Sequence, residues 1–217
     1  MVLTYVTKEI VLGKILVVGR DVLIPFYGVV AGLDGLEYPE EWFASIAPVF
    51  KERSEVETDP QWKQPIPYCL ISRLEHEDRE TQYFVYRRPA AGGESRLSGK
   101  LSIGVGGHVE EADKVSERIS LSAITQLAAR REIVEELNFA AKCSAIPLAM
   151  INHDDTEVGS VHFGIVYEVQ VAASFVKPSA EIDNPNWMTL SELWALRDEM
   201  EGWSQMLLSW LRGRASV

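Results

Sequence analysis

The stretch RREIVEELNF, residues 130–139, packs three glutamates, Glu132, Glu135 and Glu136, into one short apolar segment. On an α-helix, positions i, i+3 and i+4 share a face, so these carboxylates converge on one side. Like charges so placed repel by roughly 0.2–0.5 kcal/mol per exposed pair. A hard divalent cation, Mg²⁺ or Mn²⁺, removes that repulsion by taking carboxylate oxygens. A solvated surface helix carries the same pattern, so the flanking sequence has to decide.

Residues 120–137, SLSAITQLAARREIVEEL, predict a helix. Ser120 or Ser122 supplies its cap, and Ile124, Leu127, Val134 and Leu137 recur at helical spacing. Val134 and Leu137 are expected to anchor the side away from the acids. Asn138 stands where a helix stops in a left-handed residue. Ahead of it, IGVGGHVEEAD (103–113) reads as a strand, a Gly106-Gly107 pair and an acidic loop. Glycines there let backbone approach a ligand or metal, and their carbonyls can serve as ligands.

GGHVEEAD followed by REIVEELNF resembles the Nudix box, G-x5-E-x7-R-E-U-x-E-E-x-G-U with U bulky and apolar. Gly107 matches the first Gly, Arg131-Glu132 the Arg-Glu pair, Ile133 the apolar site, Glu135-Glu136 the paired acids and Phe139 the closing apolar residue. Within that superfamily the chain resembles the MutT-like group of predicted phosphoesterases. The likeness covers about 101–139 closely, extends from 66 to the C-terminus, and says little about residues 1–60. Three departures stand out. Asp113 replaces Glu at the first acidic position, Asn138 replaces Gly, and seventeen residues separate Asp113 from Arg131 where the pattern has seven. KVSERISLSA therefore lengthens the loop or the helix start; were the helix register kept instead, Ala123 would stand at the acidic site. In the family the first acid supports the structure, often pairing with the box Arg, and the last acids bind metal.

The resemblance implies an α/β fold of the α+β type: the Nudix fold, a mixed β-sheet between helices. Residues 1–60 would form an added N-terminal segment or subdomain, and 61–217 the Nudix domain. It further implies hydrolysis of a diphosphate linkage in a nucleoside diphosphate linked to another moiety. Mg²⁺ or Mn²⁺ would be held by Glu132, Glu135 and Glu136 with the Gly107 carbonyl. Glu132 and Glu135 would carry the catalysis, with Arg131 orienting the acids. The general base is not fixed by the motif: Glu135, an acid within 154–157 or Glu181 would serve. A non-catalytic nucleotide-binding or regulatory module on the same fold is the alternative. An isomerase acting on an isoprenoid diphosphate would need Cys-containing and His-rich metal motifs that are not evident.

Around this element, Arg87 and Arg88 end a strand and Arg96 and Lys100 lie in a Gly-rich loop, 89–100. In a metal-dependent phosphate site such cations neutralise substrate oxygens, although basic residues at strand ends are ordinary. His108 follows the glycine pair and either faces the pocket or merely orients the turn. INHDDTEVGSVHFGIVYEV (151–169) offers Asp154, Asp155 and Glu157, whereas His162, on an alternating strand, reads as structural. Trp187 reads as core or interface sooner than as a base-stacking platform. Thr156 and the Asp154-Asp155 pair replace the Tyr and Pro that mark dinucleoside polyphosphate and ADP-ribose subfamilies, so the substrate stays open.

Elsewhere, PYCLISRL (67–74), TQYFVYRR (81–88) and SVHFGIVYEVQV (160–171) predict strands, and the C-terminal TLSELWALRDEMEGWSQMLLSWLRG one or two helices from Thr189 or Ser191. Residues 10–30 predict two β-rich runs broken in hairpin fashion at Gly19-Arg20-Asp21. Residues 39–51 predict a helix, and 52–65 a loop. The C-terminal Trp194, Trp203 and Trp210 read as core or interface, compatible with a homodimer. A formal net charge of −11 opposes broad nucleic-acid binding, and no apolar run approaches the length of a membrane span. Cys69 and Cys143 lack metal-ligand spacing and read as reduced thiols. With no secretory pattern at the N-terminus, a cytoplasmic enzyme acting on a small nucleotide-type diphosphate is expected.

Overall fold

The structure, a computed structural model, describes residues 13–23, 28–31, 40–46, 49–74, 80–89, 95–116, 119–138, 144–172, 178–179 and 182–215. Its spine is a pair of parallel strands, β4 (Trp62–Leu74) and β9 (His162–Gln170), in register from Gln64↔His162 to Ser72↔Gln170. The main sheet runs β10–β5–β4–β9–β8–β2, where β2 is Gly28–Ala31, β5 Thr81–Arg87, β8 Ile146–Asn152 and β10 Asp183–Thr189. Its pairs other than β4–β9 are antiparallel. Short strands β6 (Leu101–Ser102) and β7 (Gly104–Val105) add to β5 and β4.

Both sheet faces are buried, in layers. One face carries α3 (Leu121–Leu137), whose Leu121, Ile124, Ala128, Ile133 and Leu137 pack with Cys69, Ile71, Phe163 and Tyr167 of the sheet. The other is covered by α5 (Leu190–Ala195) and α6 (Gly202–Ala215), with Leu193, Leu207 and Leu208 against Leu70, Val85 and Val166. Each fully buried Leu or Ile contributes roughly 1.5–3 kcal/mol. The expected mixed sheet between helices is what forms.

The segment before residue 61 does not follow the local pattern. β1 (Lys14–Gly19) pairs with β3 (Val49–Glu52) and touches β4 at Val18↔Lys63, whereas β2 adds to β8, so the two runs of 10–30 make no hairpin with each other. The predicted helix 39–51 is only α1 (Glu40–Ser45), because Val49–Glu52 gains more by pairing as β3. The predicted loop 52–65 holds α2 (Arg53–Val56) and the start of β4. Pro65 and Pro67 are tolerated inside β4 because residues 64–68 are paired on the β9 side alone among the described residues. Leu16, Val18, Leu23 and Phe43 enter the same core cluster as α3. The described part of the segment is thus built into the sheet and core.

Candidate active site

The helix α3 carries the acids. Ser120 caps it, its side chain accepting from the Ala123 amide at 3.2 Å, and Asn138 ends it in the left-handed region at φ 49°. Of the ten extra residues, 114–116 and 119–120 lie in the connection after a 3₁₀ turn at Glu111–Asp113, and the last three begin the helix. Ala123 is exposed on that first turn, away from the acids. Val134 is 45% exposed and anchors nothing; Ile133 and Leu137, both fully buried, take that role.

The long insertion does not displace Asp113 from Arg131. The guanidinium binds that carboxylate with both arms, Nε to Oδ1 at 2.9 Å and Nη2 to Oδ2 at 3.0 Å. Nη2 also donates to the His108 carbonyl at 2.8 Å, and Nη1 to Glu132 Oε1 at 2.7 Å and Glu135 Oε2 at 3.0 Å. One arginine thus fastens the acidic loop, the glycine turn and two of the helix acids. Asp113 also accepts from the Glu110 amide at 2.9 Å, closing its turn.

Gly106 and Gly107 are fixed by close approach. A Cβ on Gly106 would lie 1.8 Å from the Pro67 carbonyl oxygen, and one on Gly107 2.6 Å from Glu132 Oε1. Gly107 therefore seats the Glu132 carboxylate directly against the turn. Glu132 is nearly buried, and that burial pushes its carboxyl up to about 7 although Arg131 pulls it down. Glu135 is exposed and Glu136 half-buried. Among the described residues no three acidic, histidine or cysteine side chains already form a metal-holding group. Arg131 grips two of the three carboxylates. The donor chemistry nevertheless fits a hard divalent ion: three carboxylates on one helix face, with a turn open at the Gly107 cradle.

A cavity of about 1140 Å³ opens on this face, lined by Gly106, Gly107, His108, Arg131 and all three glutamates. His108 and His162 meet in its wall, Nε2 to Nε2, at 3.3 Å. His162 Nδ1–H donates to the Val158 carbonyl at 2.8 Å, so in its neutral form Nε2 accepts from His108. Burial, then the charges of Arg53, His162 and Arg131, holds His108 well below its usual value, leaving it neutral. Arg88 and Arg96, both expected to contact substrate, line the cavity. Arg87 does not: it donates to the Gly99 carbonyl at 2.6 Å and pairs with Glu199 at 2.9 Å on the surface. Alternation along β5 puts neighbours on opposite faces, which the sequence pair Arg87-Arg88 conceals.

The structure adds wall residues that the sequence did not mark. Lys14 and Arg53 come from the N-terminal segment, Val158 from α4 (Glu157–Val161), and Glu201 from just before α6. Asp154, one of the candidate bases, is spent elsewhere: it accepts from both Arg20 and the fully buried Lys63. Lys63 also donates to the carbonyls of Gly159 and, at 3.3 Å, His162. Burial lowers its pKa while Asp154 raises it, the first prevailing. Of the acids in 154–157, Glu157 lines the cavity. Trp187 packs edge-on to Phe84 at 5.5 Å beneath Arg73, in keeping with a core role. Glu181, Phe139 and Cys143 lie outside the described residues.

This architecture has clear relatives. The crystal structure of Tm1382, a protein ascribed to the Nudix hydrolases, matches with a TM-score of 0.70 and 26% identity, covering 91% of this chain and 97% of that one. The chain belongs to the Nudix superfamily. Two further Nudix structures share the fold at low identity. The Nudix domain of NrtR from Shewanella oneidensis, solved with ADP-ribose, has a TM-score of 0.51 at 10% identity, over 70% of this chain and 88% of its own. A MutT/Nudix protein from Listeria innocua has 0.52 at 15%, over 70% and 94%. In sequence, protein YmaB of Bacillus subtilis (strain 168) is 36% identical over 181 residues, 77% of this chain and 81% of that protein. No family model matches the chain. No helix of the described residues is long and apolar enough to cross a membrane.

Proposed function

We propose that this Nudix protein hydrolyses a diphosphate linkage in a nucleoside diphosphate joined to another moiety, with a divalent cation. The observation that carries the reading is the Arg131 hub, which gathers Asp113, Glu132, Glu135 and the His108 carbonyl at the mouth of one large cavity. Glu132, Glu135, Glu136 and the Gly107 carbonyl are the groups that would hold Mg²⁺ or Mn²⁺. When bound, such an ion supplies Lewis-acid polarisation of a phosphoryl oxygen and lowers the pKa of a coordinated water.

The chain's own residues supply the rest. Arg131 sets the carboxylate rotamers through two charge-assisted bonds and keeps the loop from drifting. Glu135, exposed to the cavity, is positioned to take a proton from an attacking water; Glu157, on the facing turn, is the other acid able to do so. His108, kept neutral, offers a polar edge to substrate without adding charge. Turnover tests the reading. Glu135→Gln and Glu136→Gln should each lower Mg²⁺-dependent release of phosphate-containing products from nucleoside diphosphate derivatives by about 10²–10⁴-fold, while leaving circular dichroism unchanged. Wild-type rates in both variants would overturn it. The grip of Arg131 on two of the carboxylates that would hold the metal favours one other reading, a nucleotide-binding module without turnover. Nucleotide binding by calorimetry with no product would establish that instead.

A further inference from the structure

Arg88 follows β5 directly and contributes to the cavity wall. Its main chain is pinned in both directions: its amide donates to the Lys100 carbonyl at 2.9 Å, and its carbonyl accepts from Gly99 at 3.0 Å. Pro89 then fixes the exit of the chain. The side chain runs past Tyr86, its guanidinium carbon 6.0 Å from the ring centroid. Nε is sealed from solvent and has no hydrogen-bond partner among the described residues.

The carboxylate of Glu201, which lines the same cavity, is already taken up. It accepts from the Tyr68 hydroxyl at 2.6 Å, the Ser204 hydroxyl at 2.6 Å, and the Ser204 and Trp203 amides at 2.9 and 2.8 Å. It caps α6 and offers Arg88 charge at a distance. Burial works against the Arg88 charge, yet Tyr86, Glu201, Tyr68 and Glu136 together keep its pKa raised. An enclosed N–H left unmade costs roughly 1–3 kcal/mol, and an arginine retained at that cost, with its side chain lining an open cavity, calls for an anion from outside the protein at the rest of the guanidinium.

We propose that Arg88 is the anion-holding residue of the cavity, taking non-bridging oxygens of a diphosphate whose other phosphoryl group lies at the α3 glutamates. The proposal deepens the hydrolase reading and rests on it for the orientation of the diphosphate. A planar guanidinium matches two phosphate oxygens at once, which a lysine or a single hydroxyl does not. Acids that need a cation and an arginine that needs an anion, lining one cavity, select a ligand with two adjoining anionic centres. Arg96, on the 3₁₀ turn Ser95–Leu97, lines the same cavity and extends its positive side.

Calorimetric titration in Mg²⁺ with inorganic pyrophosphate, and with malonate as a dicarboxylate of similar span, tests this on wild type, Arg88→Met, Arg88→Lys and Arg87→Met. Wild type is expected to bind pyrophosphate at least tenfold more tightly than malonate. Arg88→Met should weaken pyrophosphate binding tenfold or more, and Arg88→Lys, which keeps the charge without the fork, at least threefold. Arg87→Met, which removes a surface cation of equal charge, should stay within twofold. If Arg88→Met fails to fold, judged by circular dichroism, Arg88→Lys decides alone. Unchanged pyrophosphate affinity in the folded Arg88 variants overturns the proposal, as does wild type that ignores pyrophosphate or prefers malonate. Pyrophosphate binding that depends on Arg88, in a protein that releases no product from any nucleoside diphosphate derivative, would keep this anion site and remove the hydrolase reading.

Discussion

Two loop aspartates of this chain pair with cations, and the two clusters do different things. Asp113 takes both arms of Arg131, which goes on to hold the carboxylates of Glu132 and Glu135 at the cavity. Asp154 takes Lys63 and Arg20, and Lys63 goes on to hold the main-chain carbonyls of Gly159 and His162. The first cluster ends in carboxylates with spare lone pairs facing a cavity. The second ends in carbonyls whose bonding is internal, fastening the turn that bears Glu157 and His162 to β4. Charge alone does not mark a site; spare acceptors turned toward an open volume do.

Replacing the two cations separates these roles most sharply. Arg131→Met leaves Asp113 and Glu132 buried without their partner and should cost about 3–5 kcal/mol of stability. It should also abolish Mg²⁺-dependent turnover in the protein that remains folded. Lys63→Met should cost less, about 2–4 kcal/mol, since Arg20 still pairs with Asp154. Its folded fraction should keep the Mn²⁺ affinity of wild type, measured by calorimetry. Equal loss of metal affinity in both variants would erase the distinction between the clusters.

The acid end of the first cluster gives the next effect, through pH. In the metal-free protein the folded Glu132 carboxyl lies at about 7, above its unfolded value near 4.5. A raised carboxyl contributes stability that is complete below pH 4.5 and is lost as pH rises through 7, because ionisation is then penalised by burial. Glu132→Gln removes that loss. Its unfolding free energy relative to wild type, both in chelator and read by denaturant melts, should therefore climb between pH 4.5 and 7 and level off above, reaching up to about 3 kcal/mol. A difference that stays flat over this range would show that Glu132 is not desolvated.

The smallest change acts on the turn. Gly107→Ala puts a methyl 2.6 Å from Glu132 Oε1, an atom that Arg131 prevents from simply moving aside. About 1–3 kcal/mol of stability and roughly tenfold in Mn²⁺ affinity should go, read by thermal melting and calorimetry. Gly99→Ala, at a glycine with open space around it and φ +74°, should leave metal affinity untouched and cost stability alone.

Much of this was legible in the residues. The helix over 120–137 and its Asn138 stop follow from caps and period, the shared face of the acids from spacing, and Gly107 and Arg131 from the likeness to the Nudix box. The likeness to the Nudix box supplied the fold. What failed was local reading without a partner in view. Val134 fits the apolar period of α3 yet points outward, because the face toward β4 and β9 passes through Ala128, Ala129 and Ile133. Residues 49–51 read as helix until β1 is there to pair with them. Strands β8 and β10 went unmarked, the first because burial on both faces removes alternation and the second because Asn and Pro occupy it.

The sequence by itself determined which helix carries the acids, through helical period and caps, and its likeness to the Nudix box pointed to the glycine, arginine and aspartate that go with them. Only the tertiary structure decided which charges remain free for chemistry. Asp154 is consumed by Lys63 from 91 residues away, and Arg87 by Glu199 from 112 away, whereas Arg88 keeps a buried donor beside the cavity. Such pairings depend on strand register and layer packing across the whole chain, and no local window of sequence contains them.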